Sequence, residues 1–483
     1  MVHADHLLNF YIDGHWVPPA RSGALQDVVD PATGEISGRI ALGDAADIGK
    51  AVAAAARAFP SYATWPLRQR LELLEAVCAE YERRLLDMAD VITLEMGAPL
   101  RALSRPVQAP VGLWHLQTAL QEARRFAFER DEGTTRIVRE PIGVCALITP
   151  WNWPINQVAC KVASALAVGC TIVLKPSQNA PYSSAVFAEI LHAAGVPAGV
   201  FNLVQGEGAR LGEVLAAHPL VDMVSLTGSN AAGASVAKAA ADTVKRVSLE
   251  LGGKSANLIL RGAPLKEAVT HGVMSMMSNS GQTCAAPSRM LVPRESLADV
   301  EAIARTVCES MKVGDPKLEE TAVGPIANER QYRRVRSMIA QGQEEGARLV
   351  TGGLARPEGC DRGFFVRPTV FSGVDNRMTI AREEIFGPVL AVLAYDSVDE
   401  AVDIANDSPY GLSGYVYGET VDAAAAVARR LRTGMVHLNG AGVDIAAPWG
   451  GYKQSGNGRE WGRWGLEEFL ETKAVMGATP GAQ

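Results

Sequence analysis

From Gly143 onward the chain alternates short apolar runs with stretches whose apolar residues recur every three or four positions. Val144–Ile148, Thr171–Leu174, Phe201–Val204 and Met223–Leu226 read as strands. Between them, Ile155–Val168, Ala185–Ala194 and Leu211–Ala217 read as helices. Unbroken apolar strands joined by helices predict βαβ units and a parallel sheet covered on both faces. The rhythm returns after Glu250, with strand candidates Ala256–Leu260, Arg289–Val292, Val389–Leu393, Gly414–Tyr417 and Met435–Leu438. Two α/β domains in series are therefore expected. Ahead of Gly143, Asp13-Gly14 between Phe10–Ile12 and His15–Val17 predicts a hairpin, and Asp30–Gly34 a loop. Ala46–Phe59 and Leu67–Met96 then read as helical stretches. Thr134–Val138 alternates like an exposed edge strand, which needs a partner.

Composition narrows the class. At 483 residues and 51.2 kDa, the chain has room for about three domains and needs no disulfide or metal staple. Its 46 basic and 53 acidic residues leave a net charge of −7, which argues against nucleic acid or an anionic membrane as the main partner. Seven cysteines, an odd number without a CxxC pair, suggest neither a disulfide framework nor a metal site. Met1–Trp16 lacks the basic-then-apolar layout of a signal peptide. Val158–Leu174, the most membrane-like stretch, contains Lys161 and Gly169 and reads as a buried helix, a glycine stop and a strand. A soluble cytoplasmic protein is expected.

Several segments have the makings of chemistry, each with a plainer alternative. Gly206–Gly212 follows a strand and opens a helix, but its third glycine comes one residue late for a dinucleotide fingerprint. Thr227-Gly228-Ser229 lies between strand and helix, where free N–H groups favour a phosphate, or where Ser229 is simply an N-cap. Cys284 occupies a polar, glycine-containing turn after the helix Leu265–Met277. That setting suits an exposed nucleophile with a lowered pKa, although a lone cysteine is more often a core residue. Glu250 ends a strand beside two glycines, as a ligand-facing acid or as an ion-pair partner of Lys254. Pro150-Trp151-Asn152-Trp153-Pro154 would hold an asparagine rigidly, as an oxyanion donor requires, or simply start a helix.

Together these segments resemble the aldehyde dehydrogenase superfamily in its NAD(P)-dependent, non-acylating branch, from Phe10 to about Lys473. The landmarks are PWNWP (Pro150–Pro154), KPSQ (Lys175–Gln178), TGS (Thr227–Ser229) and LELGGKS (Leu249–Ser255), then GQTC (Gly281–Cys284), EEIFGPV (Glu383–Val389) and PWGGYKQSGNGRE (Pro448–Glu460). The resemblance implies an α/β fold with a Rossmann-type nucleotide-binding domain (1–120 and 142–252), a catalytic domain (253–462) and a β oligomerisation arm (121–141 and 463–483). A homodimer or homotetramer follows from the same likeness.

The resemblance also implies the chemistry. Cys284 would attack the aldehyde, Asn152 and the Cys284 N–H would hold the oxyanion, and Glu250 would activate water against the thioester. Lys161 and Glu460 match a proton-relay pair, which a structural ion pair would equally explain. The dinucleotide would meet Ile148, Thr149, Pro150, Trp151, Lys175, Ser177, Gln178, Gly208, Thr227, Gly228, Ser229, Leu251, Gly252, Glu384 and Phe386. Many relatives carry Glu at the Gln178 position; the neutral amide removes repulsion of a 2′-phosphate, so use of both NAD and NADP is expected. Trp153, Asn156, Gln157, Cys160, Ser278, Thr283 and Trp449 match tunnel positions. Small Cys160 and Ser278 imply a wide tunnel for a medium or bulky aldehyde, whether aromatic, terpenoid or long-chain. Asn156 and Gln157 are alternatives for bonding a distal polar group of the substrate. A CoA-acylating enzyme is disfavoured by Glu250, and a non-catalytic relative by the presence of Cys284, Glu250 and Asn152.

Overall fold

The computed structural model of the chain describes residues 3–21 and 24–478. Its first sheet has eight strands, in the order Gly456–Asn457, Arg246–Glu250, Met223–Thr227, Val144–Ile148, Thr171–Lys175, Phe201–Leu203, Phe10–Ile12 and His15–Val17. The five strands from Arg246–Glu250 to Phe201–Leu203 run parallel. Val144–Ile148, Thr171–Lys175 and Met223–Thr227 are buried at every position, which explains their unbroken apolar runs. The strands after Val144–Ile148 are laid first on one side of it and then on the other. Open α/β sheets bind ligands beyond the carboxyl ends of their strands at such a reversal. Here that crevice lies between Ile148–Pro150 and Thr227–Ser229.

All fifteen residues of the helix Pro154–Val168 are buried. It packs against the helices Leu67–Arg83, Ala109–Arg125 and Pro181–Ala193 as well as the sheet. Pro154 opens it, and Gly169 at φ 98° closes it in the left-handed region. A lysine inside so enclosed a helix requires a counter-charge, and Lys161 is that lysine.

Asp13 (φ 54°) and Gly14 (φ 80°) make the expected hairpin turn. Leu67–Met96 is two helices rather than one stretch: Leu67–Arg83 and Leu85–Met96 meet at Arg84, where φ is −104° and ψ 11°. Both halves bury their apolar stripe in the same core, through Leu74, Val77 and Tyr81 and then Met88, Ile92 and Met96. Periodicity alone therefore does not reveal the break. The glycine cluster also resolves differently: the helix runs Gly208–Ala217, so Gly208 opens it and Gly212 lies inside.

The second sheet orders seven strands as Arg348–Thr351, Thr369–Ser372, Val389–Tyr395, Arg289–Pro293, Ala256–Ile259, Ser413–Tyr417 and Met435–Leu438, parallel except for the first. A third sheet corrects one expectation. The segment read as an edge is its middle strand, Thr135–Pro141, paired with Glu129–Glu132 on one side and Leu470–Met476 on the other. The partner comes from over three hundred residues downstream, so no local pattern announces it. Among the described residues no helix is long and apolar enough to cross a membrane.

Candidate active site

The loop carrying Cys284 is held in an uncommon backbone shape. After the helix Leu265–Met277, Asn279 (φ 53°), Ser280 (φ 54°) and Gly281 (φ 69°) are successively left-handed. Such conformations persist only where the surroundings enforce them, and here a buried amide network does so. Gln108 Nε2 donates to Asn279 Oδ1 (3.0 Å), and Asn279 Nδ2 donates to the Asn152 carbonyl (2.9 Å). The Ala327 N–H donates to Gln282 Oε1 (2.9 Å). Asn152 Nδ2 in turn donates to the Gln282 carbonyl (2.9 Å), and Trp153 Nε1 to Thr283 Oγ1 (2.9 Å). PWNWP and GQTC are thus stitched together, with the amide of Asn152 anchored two residues from the sulfur.

The electrostatics at Cys284 oppose the expected lowering. Burial, then the Glu384 and Glu250 carboxylates, push its thiol well above the usual range. Sequence motif reading could not see this, because both carboxylates arrive from distant segments. Glu250 closes its strand as expected. Burial and the nearby Glu460 charge hold its carboxyl well above the ordinary range, against the pull of Lys161 and Arg459. The Trp449 indole also draws it down. Lys161 Nζ donates to Ser225 Oγ (2.9 Å) and pairs with Glu460. Burial lowers Lys161, but Glu460 leaves it raised overall and firmly cationic.

A 520 Å³ cleft runs from Cys284 and Asn152 past Pro150, Trp151, Leu251 and Gly252 to Thr227, Gly228 and Ser229. Ser229 caps the helix Asn230–Ala241 by accepting from the Ala232 N–H (3.3 Å), so N-cap and anion site coincide. The Trp151 and Phe386 rings meet edge-on in the cleft at 5.5 Å. Phe386 is held at φ 59° by Gln331, whose Nε2 donates to the Ile385 and Phe386 carbonyls (2.9 Å each). Glu384 accepts from the Gly253 N–H (3.1 Å), and a Cβ on Gly252 would come within 2.5 Å of its carboxylate. Burial lifts Glu384 to about 7.

Ile148, Thr149, Lys175, Ser177, Gln178 and Gly208 lie outside the lining of this cleft. They converge around the neighbouring strand ends: Gly208 N–H donates to Gln178 Oε1 (3.0 Å), and a Cβ on Gly208 would meet Lys175 Nζ at 3.5 Å. Burial brings Lys175 down to about 8. Ser177 is a turn residue whose Oγ accepts from the Asn179 N–H, and Thr149 Oγ1 is buried without a partner. The helix N-terminus at Ser229 and the Glu384 carboxylate in the cleft, with the buried Lys175 amine and the unpartnered Thr149 hydroxyl at the strand ends beside it, are the groups a dinucleotide needs.

The tunnel candidates divide. Cys160 and Trp449 are buried together with Ala285, Leu412 and Trp461, and Cys284 packs on this cluster. Thr283 sits beside Trp153. Asn156 and Gln157 are less free than expected: His115 Nε2 lies 2.6 Å from Asn156 Oδ1, and Thr227 Oγ1 donates to Gln157 Oε1 (3.4 Å). Ser278 is exposed.

The model of the "Aldehyde dehydrogenase family" matches residues 16–475. The chain belongs to the aldehyde dehydrogenase family. It is 58% identical to 3-succinoylsemialdehyde-pyridine dehydrogenase of a Pseudomonas species over 97% of this chain and 98% of that protein. A cysteine-to-alanine variant of aldehyde dehydrogenase C from Pseudomonas syringae, solved with NAD+ and octanal, is 51% identical at a TM-score of 0.98, covering 100% of this chain and 99% of that one. The Mycobacterium tuberculosis aldehyde dehydrogenase solved with NAD+ is 38% identical at 0.95, covering 99% of each. Oxidation of aldehydes is the activity of this chain.

Within this aldehyde dehydrogenase site, several residues escaped the sequence reading. Asn328, Gln331 and Arg334 line the cleft from the start of the helix Glu329–Glu344, with Asn328 as its cap. The cap is legible as a helix start, but not where that start docks. Trp461 belongs to the tunnel cluster, and the His115 ring lies 5.1 Å from it. Nothing in their local sequence distinguishes them from core residues.

Proposed function

We propose that this chain oxidises a medium or bulky aldehyde to its carboxylic acid with NAD or NADP, through a thiohemiacetal and a thioester on Cys284, the thioester being hydrolysed by water that Glu250 activates. The observation that carries this reading is the meeting of Cys284 and Asn152 at one end of a cleft suited to a dinucleotide, with the buried Glu250 near enough for its charge to act on the Cys284 thiol. After loss of its proton, the Cys284 sulfur bonds to the aldehyde carbon. The oxyanion is held by the Asn152 amide and the Cys284 N–H, a contribution of about 3–4 kcal/mol for one such donor. A dinucleotide held in the cleft would supply the hydride acceptor, so that the thiohemiacetal carbon, giving up its hydride, would become the thioester of Cys284. Glu250, with a raised pKa, takes a proton from water as that water adds to the thioester. Lys161 and Glu460 lie beside it to pass the proton on, and the departing sulfur regenerates Cys284.

For the dinucleotide, Gly228 and Ser229 would hold the pyrophosphate, Lys175 and Gln178 the adenosine ribose, and Glu384 and Phe386 the nicotinamide side. Because Gln178 Oε1 accepts from the Gly208 N–H, the group Gln178 has left to offer a ribose is its Nε2 donor. A donor suits either a hydroxyl or a 2′-phosphate, which supports use of both cofactors. A more than hundredfold preference for NAD in kcat/KM overturns dual use. The substrate reading draws on small Cys160 and on relatives named for a pyridine semialdehyde or solved with octanal. More efficient turnover of acetaldehyde than of benzaldehyde or a long-chain aldehyde overturns it.

The division into nucleotide-binding (1–120, 142–252), catalytic (253–462) and arm (121–141, 463–483) parts is supported by the separate sheets, save that Gly456–Asn457 of the catalytic span pairs with Arg246–Glu250 in the first sheet. So is assembly into a homodimer or homotetramer through the three-stranded sheet, whose Leu470–Met476 edge exposes Val475 and Met476. The deciding assay follows NAD and NADP reduction with an aldehyde panel, without CoA and with Cys284→Ala as control. Turnover that vanishes in the variant is expected; turnover that survives, or that needs CoA, overturns the mechanism.

A further inference from the structure

Glu250, Lys161 and Glu460 are only 3%, 1% and 6% exposed, so a proton collected among them is enclosed by protein and needs a way out. Lys161 Nζ donates to Ser225 Oγ at 2.9 Å. Having accepted from an ammonium, that hydroxyl keeps its own proton to donate onward. Ser225 pairs in register with Ser248 on the neighbouring parallel strand. The two side chains therefore stand side by side on one face of the sheet, on strands about 4.8 Å apart. A Cβ on Gly458 would meet Ser248 Oγ at 2.5 Å and the two Glu468 oxygens at 3.0 and 3.1 Å, so hydroxyl and carboxylate flank a single point. Lys161, Ser225, Ser248, Glu460 and Glu468 all line one small cavity of about 10 Å³, room for one water among polar partners. Glu468 Oε1 accepts from the Arg459 N–H (2.8 Å), which fixes the carboxylate at this cavity. Of the five it alone is half-buried rather than buried. Burial raises its carboxyl and the Glu460 charge adds to this, while Arg459 and Arg246 oppose.

We propose that Ser225, Ser248 and Glu468 form the outlet through which the proton taken up at Glu250 leaves the protein. Lys161 gives one proton to Ser225, whose own hydroxyl proton passes across one water in the cavity to Ser248. The Ser248 hydroxyl proton passes in turn to the Glu468 carboxylate, which releases it to solvent. The proton that Glu250 took from water restores the Lys161 ammonium. Every group ends as it began, and one proton moves outward for each one that Glu250 takes up. Glu468 touches no reacting atom and acts only through the groups behind it. The proposal rests on hydrolysis of the Cys284 thioester with Glu250 as base, as set out above.

The test measures hydrolysis of the thioester directly, by rapid quenching and counting of the acid released, with NAD and the aldehyde of the panel that is turned over fastest. It is run in dilute buffer and again with imidazole, a small proton carrier. Glu468→Gln is expected to leave acylation, read as the first turnover of reduced dinucleotide, unchanged. Hydrolysis in dilute buffer is expected to slow by about tenfold, less than loss of the base itself would cost. Imidazole is expected to restore most of that rate, and Glu468→Asp to keep most of it without imidazole. Ser248→Val, which puts methyl groups in place of the hydroxyl, is expected to behave as Glu468→Gln does. Hydrolysis at the wild-type rate in Glu468→Gln, or a slowing that imidazole does not relieve, overturns the outlet and leaves aldehyde oxidation standing. A wild type inert toward every aldehyde overturns the reading beneath it, and the proposal with it.

Discussion

Cys284 and Glu250 share a condition: each must lose a proton to act, and burial with neighbouring carboxylates holds each proton on. A raised pKa places that loss at higher pH, so activity should climb from neutral toward alkaline pH and fall on acidification. A kcat profile that is flat or falling from about pH 6 to 9 would contradict this assignment. Glu250→Gln should spare acylation and stall hydrolysis. The expected trace is a burst of about one reduced dinucleotide per site, then steady-state turnover slower by about 10²–10⁴. Lys161→Met strands a buried Glu460 and should cost about 3–5 kcal/mol in denaturant unfolding, with partial recovery on adding Glu460→Gln. Cys284 was legible through the GQTC motif in its ordered place among the family landmarks; a polar glycine-containing turn alone does not single it out, since Cys360 occupies one as well. Its raised pKa was not, because burial in the folded site is the chief cause and the charges of Glu384 and Glu250 add to it from distant segments.

Between elements, the loop Asn279–Cys284 is the most demanding piece of backbone in the site. A Cβ on Gly281 would come 2.1 Å from the Gly387 carbonyl oxygen, and its φ is 69°. Gly281→Ala should therefore displace the loop, lowering kcat by at least about tenfold and stability by about 1–3 kcal/mol. Single-turnover kinetics and thermal unfolding together check this; wild-type values in both would show that the loop tolerates displacement. The strands were largely legible, since burial on both faces writes itself as continuous apolar residues. The break at Arg84 was hidden because the two helices continue one stripe. The middle position of Thr135–Pro141 was hidden because strand pairing with Leu470–Met476 is a long-range event.

For the whole molecule, the open question is what covers the outer edge of Leu470–Met476. If a second copy does, Val475→Lys with Met476→Lys should shift sedimentation velocity toward a smaller species, while the far-UV circular dichroism of the chain is retained. An unchanged sedimentation coefficient would move the interface elsewhere. The sequence by itself determined two α/β sheets, the ordered family motifs and the residues proposed as nucleophile, base and amide donor. Those depend on local pattern and on residue type, both of which are properties of the chain as written. Only the tertiary structure decided that the reversal of strand order opens the crevice beside Thr227–Ser229, that Gln108 and Asn279 lock Asn152 to the cysteine loop, and that Ser225 and Ser248 line one cavity with Lys161 and Glu468. These are contacts between segments far apart in sequence, set by how the packed elements meet, and no local pattern encodes them.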